Sequence, residues 1–441
     1  MSALEAVRTT GVYCRPECSA TPDPENVTGF ASAAAAEASG YRACLRCRPY
    51  RSSDVAWLEG PELVCRAVRL VVEGSLDGET EDVFARRLGV SARHLRRLFV
   101  EHVGATPSQV ARSRRCHFAR RLLDDSDLTI TEIAFAAGFG SVRQMSRSMH
   151  EVFDDSPTAL RRRRRARDRL VADGGLVCRL PYRPPLDWDG LLAFLAARAV
   201  PGVEVVDGDT YRRTIDIEGN VGVVEVARGD GPHLLATFHL PHWHDLIHHV
   251  GRVRHLFDLD HDPALPAAHF ARDPLLSPWP AGLRVPGCWD PFEAGVRAIL
   301  GQQVSVAGAT GTAGRVVDAH GTPVEGLSQL GLSAAFPRAE QLVDADLPIP
   351  RQRADAVRAF AAAHLSGRLA LDGSLALDDF ASAMCALPGV GPWTAHYLAL
   401  RLGDPDAFPA NDLHVLRRAG DVDTDRWRPW RAYATLRLWT L

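Results

Sequence analysis

From Pro61 to about Arg165 the apolar residues recur at helical spacing, broken by short turns that contain glycine. Two stretches there, "EDVFARRLGVSARHLRRLFVEHVGATPSQV" and "LTITEIAFAAGFGSVRQMSRSMHEVFDDSPTAL", each read as helix, turn, helix. From Leu176 to about Arg284 the text changes to "YRRTIDIEG", "VGVVEVARG" and "HLLATFHL", which predict strands mixed with helices. Beyond Pro286 the helical pattern returns and runs through "LPGVGPWTAHYLALR", where two glycines precede an apolar helix. The first 50 residues are predicted to be loop-rich. The arginine run "RRRRRARDR" at 161–169, with "ADGG" after it, reads as a basic tail and linker.

A chain of 441 residues with this many changes of pattern predicts several domains. Hydrophobic residues make up 46%, enough for sizeable cores and too many for global disorder. No apolar run approaches the roughly 18 residues that cross a bilayer, and "MSALEAVRTTG" has no secretory character. The expectation is a soluble, cytoplasmic protein with no membrane partner. The net charge of −3 hides a division, because residues 1–169 hold 27 Arg against 22 acids and the remainder is acidic. A basic front part suggests a polyanionic partner. All 51 basic residues are arginine, so the chain has no lysine.

Four of the nine cysteines fall within the first 47 residues, as "CRPEC" and "CLRC". An odd total without a signal peptide argues against a disulfide framework. A C-x3-C pair and a C-x2-C pair, Cys14 with Cys18 and Cys44 with Cys47, match what a tetrahedral zinc site of four thiolates needs. The surrounding "VRTTGVYCRPEC", "NVTGF" and "GYRACLRCRP" resemble the zinc domain of the Ada methyltransferase family. That resemblance implies that Cys14 is both zinc ligand and acceptor of a methyl group from a DNA methylphosphotriester, while Cys18, Cys44 and Cys47 hold the metal. Methylation would take the site from a formal charge of −2 to −1 and strengthen DNA binding. Only 13 residues precede Cys14, fewer than that family's domain usually has, which implies either that part of its support is missing or that the start lies further upstream. A purely structural zinc is the alternative.

The paired helix-turn-helix units, with "AFAAGFGS" and "DDSPTALR" in the second, look like an AraC-type DNA-binding domain. Its candidate recognition helices carry Arg93, Arg96 and Arg97, then Ser141, Arg143 and Gln144. The Pro-Cys-His methyltransferase motif that often follows in Ada proteins is absent, since "RRCHF" at 114–118 lies in a helical region and lacks the proline.

"LPGVG" before an amphipathic helix is a helix-hairpin-helix signature, in which Gly389 and Gly391 let backbone N–H groups approach a phosphate. Together with "VPGCWDPFEAGVRAILGQQVSVAGA", "AFPANDLHV" and "RWRPWRAYATLRLW", it resembles the AlkA family of 3-methyladenine DNA glycosylases from about residue 176 onward. The resemblance implies that Asp412 is catalytic, that Trp393, Tyr397 and Trp439 line the alkylated-base pocket, and that Gln302 and Gln303 touch DNA. A monovalent cation at the hairpin turn is a further expectation. "PAND" before "LHVLRR" places Asp412 at a helix start. Gln303 stands where the family's intercalating leucine aligns, and Asn411 where a second acid is common. Two residues follow Trp439, which predicts a poorly braced pocket wall there. With no lysine, no Schiff base with the sugar can form, and Trp393 stands where lysine-using relatives carry that nucleophile. No cysteine follows Cys385, so an iron–sulfur loop is excluded.

The expected fold class is multidomain, mainly α with α+β parts. It comprises a zinc domain at 1–52, an all-α double helix-turn-helix domain at 56–165, an α+β sheet domain at 176–285 and an all-α helix-hairpin-helix domain at 286–441. The expected function is alkylation repair joined to its own transcriptional control. Double-stranded DNA, both alkylated and promoter, and RNA polymerase are the expected partners of a monomer associated with the nucleoid. The alternative is a regulator whose glycosylase half only binds DNA.

Overall fold

Four short strands organise the N-terminal segment in the computed structural model, which describes residues 4–20, 22–52, 60–170, 174–217 and 219–440. They are β1 (Leu4–Val7), β2 (Val12–Cys14), β3 (Val27–Phe30) and β4 (Arg42–Ala43), in the order β3-β1-β2-β4. β1 pairs antiparallel with both neighbours, whereas β2 and β4 run parallel. Helix α1 (Ala33–Ala38) covers them with four buried alanines. The segment is loop-rich, as expected, and its strands of two to four residues are too short to show an alternation in the sequence.

The helical run that follows contains α2 (Glu62–Glu73), α3 (Ser75–Gly78), α4 (Glu81–Arg87), α5 (Ala92–Val103), α6 (Pro107–Asp125), α7 (Ile130–Ala136), α8 (Val142–Phe153) and α9 (Pro157–Arg162). Side-chain caps start most of them: Ser91, Thr106, Thr129, Ser141 and Ser156 each accept a bond from the backbone three residues on. Gly89 and Gly138 take left-handed φ angles of 75° and 72° in the two turns α4–α5 and α7–α8. Phe84, Leu95 and Phe99 from the first turn unit pack with Val64, Leu70 and Val71 of α2, all fully buried.

The arginine run is not a free tail. Arg161 donates to the Leu128 carbonyl at 2.6 Å, and Arg164 donates to that of Ser126 at 3.2 Å. Asp168 is buried and accepts from Arg48 at 2.5 Å and from the Arg165 backbone at 3.0 Å. The run folds because carbonyls and acids outside it, Asp155 for Arg163 and Asp127 for Arg164 and Arg169, engage its guanidiniums, and one-dimensional charge counting cannot see those partners. Residues 1–182, 242–251 and 259–261 form one unit, which includes β5 (Leu176–Pro181). Within it, the His244 ring stacks on Phe135 at 4.8 Å.

The second unit holds 183–241, 252–258 and 262–441. Its strands β6 (Glu204–Asp207), β7 (Thr210–Ile217), β8 (Asn220–Arg228) and β9 (His233–His239) form an antiparallel meander. Val224 pairs with Phe238 and Tyr211 with Val226, all four fully buried on its packed face. The helices are α10 (Trp188–Ala196), α11 (Leu246–Leu256, whose first six residues belong to the first unit), α12 (Ala264–Phe270), α13 (Pro291–Leu300), α14 (Val306–His320), α15 (Ala339–Leu342), α16 (Arg351–Leu365), α17 (Leu377–Cys385), α18 (Pro392–Arg401), α19 (Leu413–Ala419) and α20 (Arg431–Thr440). Phe292 of α13 stacks on Phe360 of α16 at 5.5 Å. Among the described residues, no helix is long and apolar enough to cross a membrane.

A thiol cluster, exposed recognition helices and an aromatic pocket

Cys14 ends β2 and Cys44 follows β4 directly, and the parallel pairing of those strands brings the two residues to the same end. The Cys44 backbone N–H donates to the Tyr13 carbonyl at 3.0 Å, locking that register. The sulfurs of Cys14, Cys18, Cys44 and Cys47 all lie within 4.8 Å of one another. A tetrahedral zinc with bonds of about 2.3 Å needs sulfurs about 3.8 Å apart, so the four fit that ion with little movement. The thiols themselves ask for a cation. Burial, then the neighbouring Cys44, pushes Cys14 far up, and burial pushes Cys47 up to about 11. Burial also opposes ionisation of Cys44, but backbone bonds from Cys47 and Arg46 outweigh it and lower its value. Cys14 is 7% exposed, while Cys18 and Cys47 are half-buried.

The same unit ties this cluster's strands to the helices. Tyr13, next to Cys14, bonds Glu37 at 2.8 Å, and His117 of α6 meets the same carboxylate at 2.7 Å. Arg51 bonds Asp125 at 2.5 Å. In α5, Arg93 and Arg97 are exposed, but Arg96 is engaged by Glu81. Burial raises the Glu81 carboxyl, yet bonds from Ser108 and Arg96 bring it below its ordinary value. In α8, Arg143 and Gln144 are exposed, and Ser141 is consumed as the helix cap. The Gln144 side chain accepts from the Gly140 backbone at 2.9 Å.

The second unit gathers the remaining candidates around a cavity of about 310 Å³, lined among others by Trp393, Tyr397, Asp412 and Trp439. Asp412 caps α19, its Oδ1 accepting from the His414 and Val415 backbones at 2.9 and 3.1 Å. Two indoles complete its shell: Trp439 Nε1 donates to Oδ1 at 3.1 Å and Trp393 Nε1 to Oδ2 at 3.0 Å. Oδ1 thus receives three bonds and Oδ2 one, which leaves Oδ2 with acceptor capacity. Trp393 and Tyr397 stack directly, with centroids 5.1 Å apart and planes 12° apart, and Trp439 tilts against Tyr397 at 6.1 Å. The expected weakness at Trp439 is corrected. It sits in the last turn of α20, fixed by that bond to Asp412 and by Arg418, which donates to the adjacent Leu438 carbonyl.

The hairpin departs from expectation in two details. Gly389 has a φ of 74°, and a Cβ there would lie 3.0 Å from that of Ala356, so it requires glycine. Gly391 has an ordinary φ of −111° with nothing near its missing Cβ. Gln302 is spent inside the protein: its amide donates to the Gly389 carbonyl and to Thr394 Oγ1, both at 2.9 Å, bracing the turn. Gln303 takes a left-handed φ of 55°, and the residues after it, Val304 and Val306, are exposed and line the cavity.

Sequence reading missed the arginines under the pocket, Arg198, Arg297 and Arg401, because scattered arginines carry no spacing pattern. Arg297 bonds Glu204 and Glu293, each at 2.8 Å. Burial raises the Glu204 carboxyl, but Arg297 and Arg213 overcome that and hold it at about 2. Arg401 Nη1 donates to the Tyr397 hydroxyl at 3.1 Å. Burial raises the Tyr397 phenol, but Arg401, Arg198 and Arg297 together hold it below the usual range.

Known proteins match these regions. Family models describe a metal binding domain of Ada at residues 2–50, a helix-turn-helix domain at 84–163 and an AlkA N-terminal domain at 177–290. A probable bifunctional transcriptional activator/DNA repair enzyme AlkA of Mycobacterium tuberculosis is 41% identical over 99% of this chain and 92% of its own length. DNA-3-methyladenine glycosylase 2 of Escherichia coli is 35% identical over 59% of this chain and 95% of its own length. The bifunctional transcriptional activator/DNA repair enzyme Ada of the same organism is 35% identical over 30% of this chain and 37% of its own length. With identity of 41% along nearly its whole length, the chain belongs to the family of bifunctional transcriptional activator/DNA repair enzymes that join an Ada-type zinc and helix-turn-helix region to an AlkA-type glycosylase.

Proposed function

We propose that the second unit releases alkylated bases such as 3-methyladenine and 7-methylguanine from double-stranded DNA, with Asp412 as the catalytic residue. The observation that carries this reading is a carboxylate held by four donors on the wall of an aromatic cavity. Cleavage of the glycosidic bond develops positive charge on the sugar, and a preorganised carboxylate stabilises it without having to reorient. A ring-methylated base is cationic, and stacking on Trp or Tyr adds about 0.5–2 kcal/mol. Because Trp393 and Tyr397 already touch, the flipped base stacks against this pair, not between its members. Gly389 and Gly391 bring the backbone to a phosphate, with a monovalent cation at the turn, and Val304 and Val306, exposed on the cavity lining, offer apolar contact. Without lysine the enzyme is monofunctional and leaves an intact abasic site. Base release from methylated duplexes by wild type and by Asp412→Asn tests the reading, and equal release by both would remove Asp412 from the chemistry. Borohydride during turnover is expected to trap no protein–DNA adduct.

The first unit, in this proposal, senses damage. Zinc, when bound by the four cysteines, keeps their sulfurs ionised. The Cys14 sulfur attacks the methyl carbon of a methylphosphotriester, the C–O bond breaks, and the phosphodiester leaves with the electron pair. The thioether persists, so each chain acts once, and the lost negative charge favours promoter DNA under Arg93, Arg96, Arg143 and Gln144, with RNA polymerase as the further partner. The burial of Cys14 favours a second reading, in which zinc is structural only. Mass spectrometry after incubation with methylated DNA separates them: a single methyl on Cys14 supports transfer, and an unmodified cluster supports the structural role.

A further inference from the structure

Tyr13 and Cys14 are consecutive in β2, so their side chains leave the strand on opposite faces. Cys14 turns to the thiol cluster, while Tyr13 turns inward and is fully buried. There the Tyr13 hydroxyl donates to Glu37 Oε1 of α1 at 2.8 Å. His117 Nε2 of α6 meets the same oxygen at 2.7 Å and the hydroxyl itself at 3.2 Å. The Glu37 and His117 side chains are only 5% and 4% exposed. Polar groups so closed off from water depend on one another, because displacing one leaves the others short of a partner. The His117 ring then lies 5.8 Å from Phe153, the last residue of α8, and 6.4 Å from Tyr50. Tyr50 meets Phe153 edge to face at 5.7 Å and is anchored on α6 by its bond to Asp124 at 3.2 Å. It follows closely on Cys47, through the buried Arg48 that bonds Asp168 at 2.5 Å. Both thiol pairs of the first unit therefore lead to one ring cluster, and that cluster ends on a candidate recognition helix.

We infer that Tyr13, Glu37 and His117 form a latch through which the zinc cluster sets the packing of α8, and with it the presentation of Arg143 and Gln144 to DNA. The inference rests on zinc at the four cysteines. A bound ion holds the Cys14 sulfur and so fixes the end of β2. Without it the four sulfurs have no common partner, and β2 loses its anchor at the residue beside Tyr13. Tyr13 then parts from Glu37 and His117, and the His117 ring loses the bond that aligns it under Phe153. A close-packed cluster shifts between discrete arrangements and does not yield gradually, which is how a small movement at a metal site reaches a helix end. The charge of the cluster acts on DNA through space, so that effect is the same with or without these three residues. The latch is a separate route, and it makes α8 answer to zinc. Tyr13, Glu37 and His117 are positioning residues that act through β2 and α8.

The test follows amide hydrogen exchange in α8 of the full chain, with zinc bound and after chelation, for wild type, Tyr13→Phe and His117→Phe. Both substitutions keep a ring in place and remove the polar atoms of the latch. In wild type, chelation should lower the protection of Met149–Phe153 about tenfold or more. In either variant zinc should change that protection by less than about twofold, while native mass spectrometry still finds one zinc per chain. The double variant should behave like each single one, because both break the same latch. Residues that merely support the fold would lower protection when replaced and leave the zinc effect intact. That intact effect in the variants, or an α8 in wild type that ignores zinc, would overturn the inference. A purified chain that binds no zinc would instead sink the zinc reading on which it stands.

Discussion

The two candidate reaction centres hold negative charge in opposite ways. In the first unit four thiols converge within 4.8 Å, and burial resists ionisation of Cys14, so only a cation makes the cluster stable as thiolates. In the second unit a single carboxylate is surrounded by four N–H donors and needs no metal. A metal centre can be assembled from short-range pairs plus one strand pairing, whereas Asp412 depends on donors from residues 393, 414, 415 and 439. If Cys14 is consumed in one transfer, as proposed, such a nucleophile tolerates a small, metal-dependent fold. If Asp412 turns over, as proposed, its carboxylate needs the donors that several helices bring to it.

Removing the metal should break the comparison most visibly. Structural zinc contributes about 10 kcal/mol or more to folding of small thiolate sites. Chelation is therefore expected to abolish hydrogen-exchange protection of β1–β4 while base release by the second unit continues. Loss of base release together with that protection would show that the two centres do not stand apart.

Asp412→Asn comes next. With its charge removed and its shape kept, transition-state stabilisation of about 3–4 kcal/mol should vanish, a loss of roughly a hundredfold or more in single-turnover base release. DNA affinity, measured by anisotropy, should remain, since the hairpin is intact.

Acid should attack the second centre from beneath. Glu204 is held at about 2 against an ordinary 4.5, so its contribution is fully present above pH 4.5 and is lost as pH falls toward 2. About 3 kcal/mol of stability should disappear over that window in denaturant titrations, and Glu204→Gln should flatten the dependence. An unchanged slope in the variant would remove Glu204 from the account.

The smallest effect separates the two hairpin glycines. Gly389→Ala meets both a left-handed φ and the Ala356 methyl, and should cost about 1–2 kcal/mol in unfolding free energy. Gly391→Ala should stay within about 0.5 kcal/mol. Equal costs would mean that the turn constrains both positions alike.

Much of this was legible one dimension at a time. The paired turns with Gly89 and Gly138, the three long strands and the placement of Asp412 at a helix start all follow from local spacing and capping chemistry. The zinc ligands follow from two spacings, and the exclusion of a lysyl Schiff base follows from composition alone. In each case the determining contacts lie within a few residues or depend on no geometry.

Only the tertiary structure decided the rest. It put Cys14 beside Cys44 through a parallel pairing of two- and three-residue strands that no periodicity announces. It folded the arginine run onto carbonyls, Asp127 and Asp155, and it spent Gln302 on the hairpin. It made Trp393 and Trp439, besides their ring contacts, hydrogen-bond donors to Asp412, and it set Arg401 on the Tyr397 hydroxyl. The physical reason is common to all of them: a hydrogen bond or ion pair is specified by the meeting of two groups in space, and residues such as Gly287 and Arg401, 114 positions apart, meet only once the chain has packed.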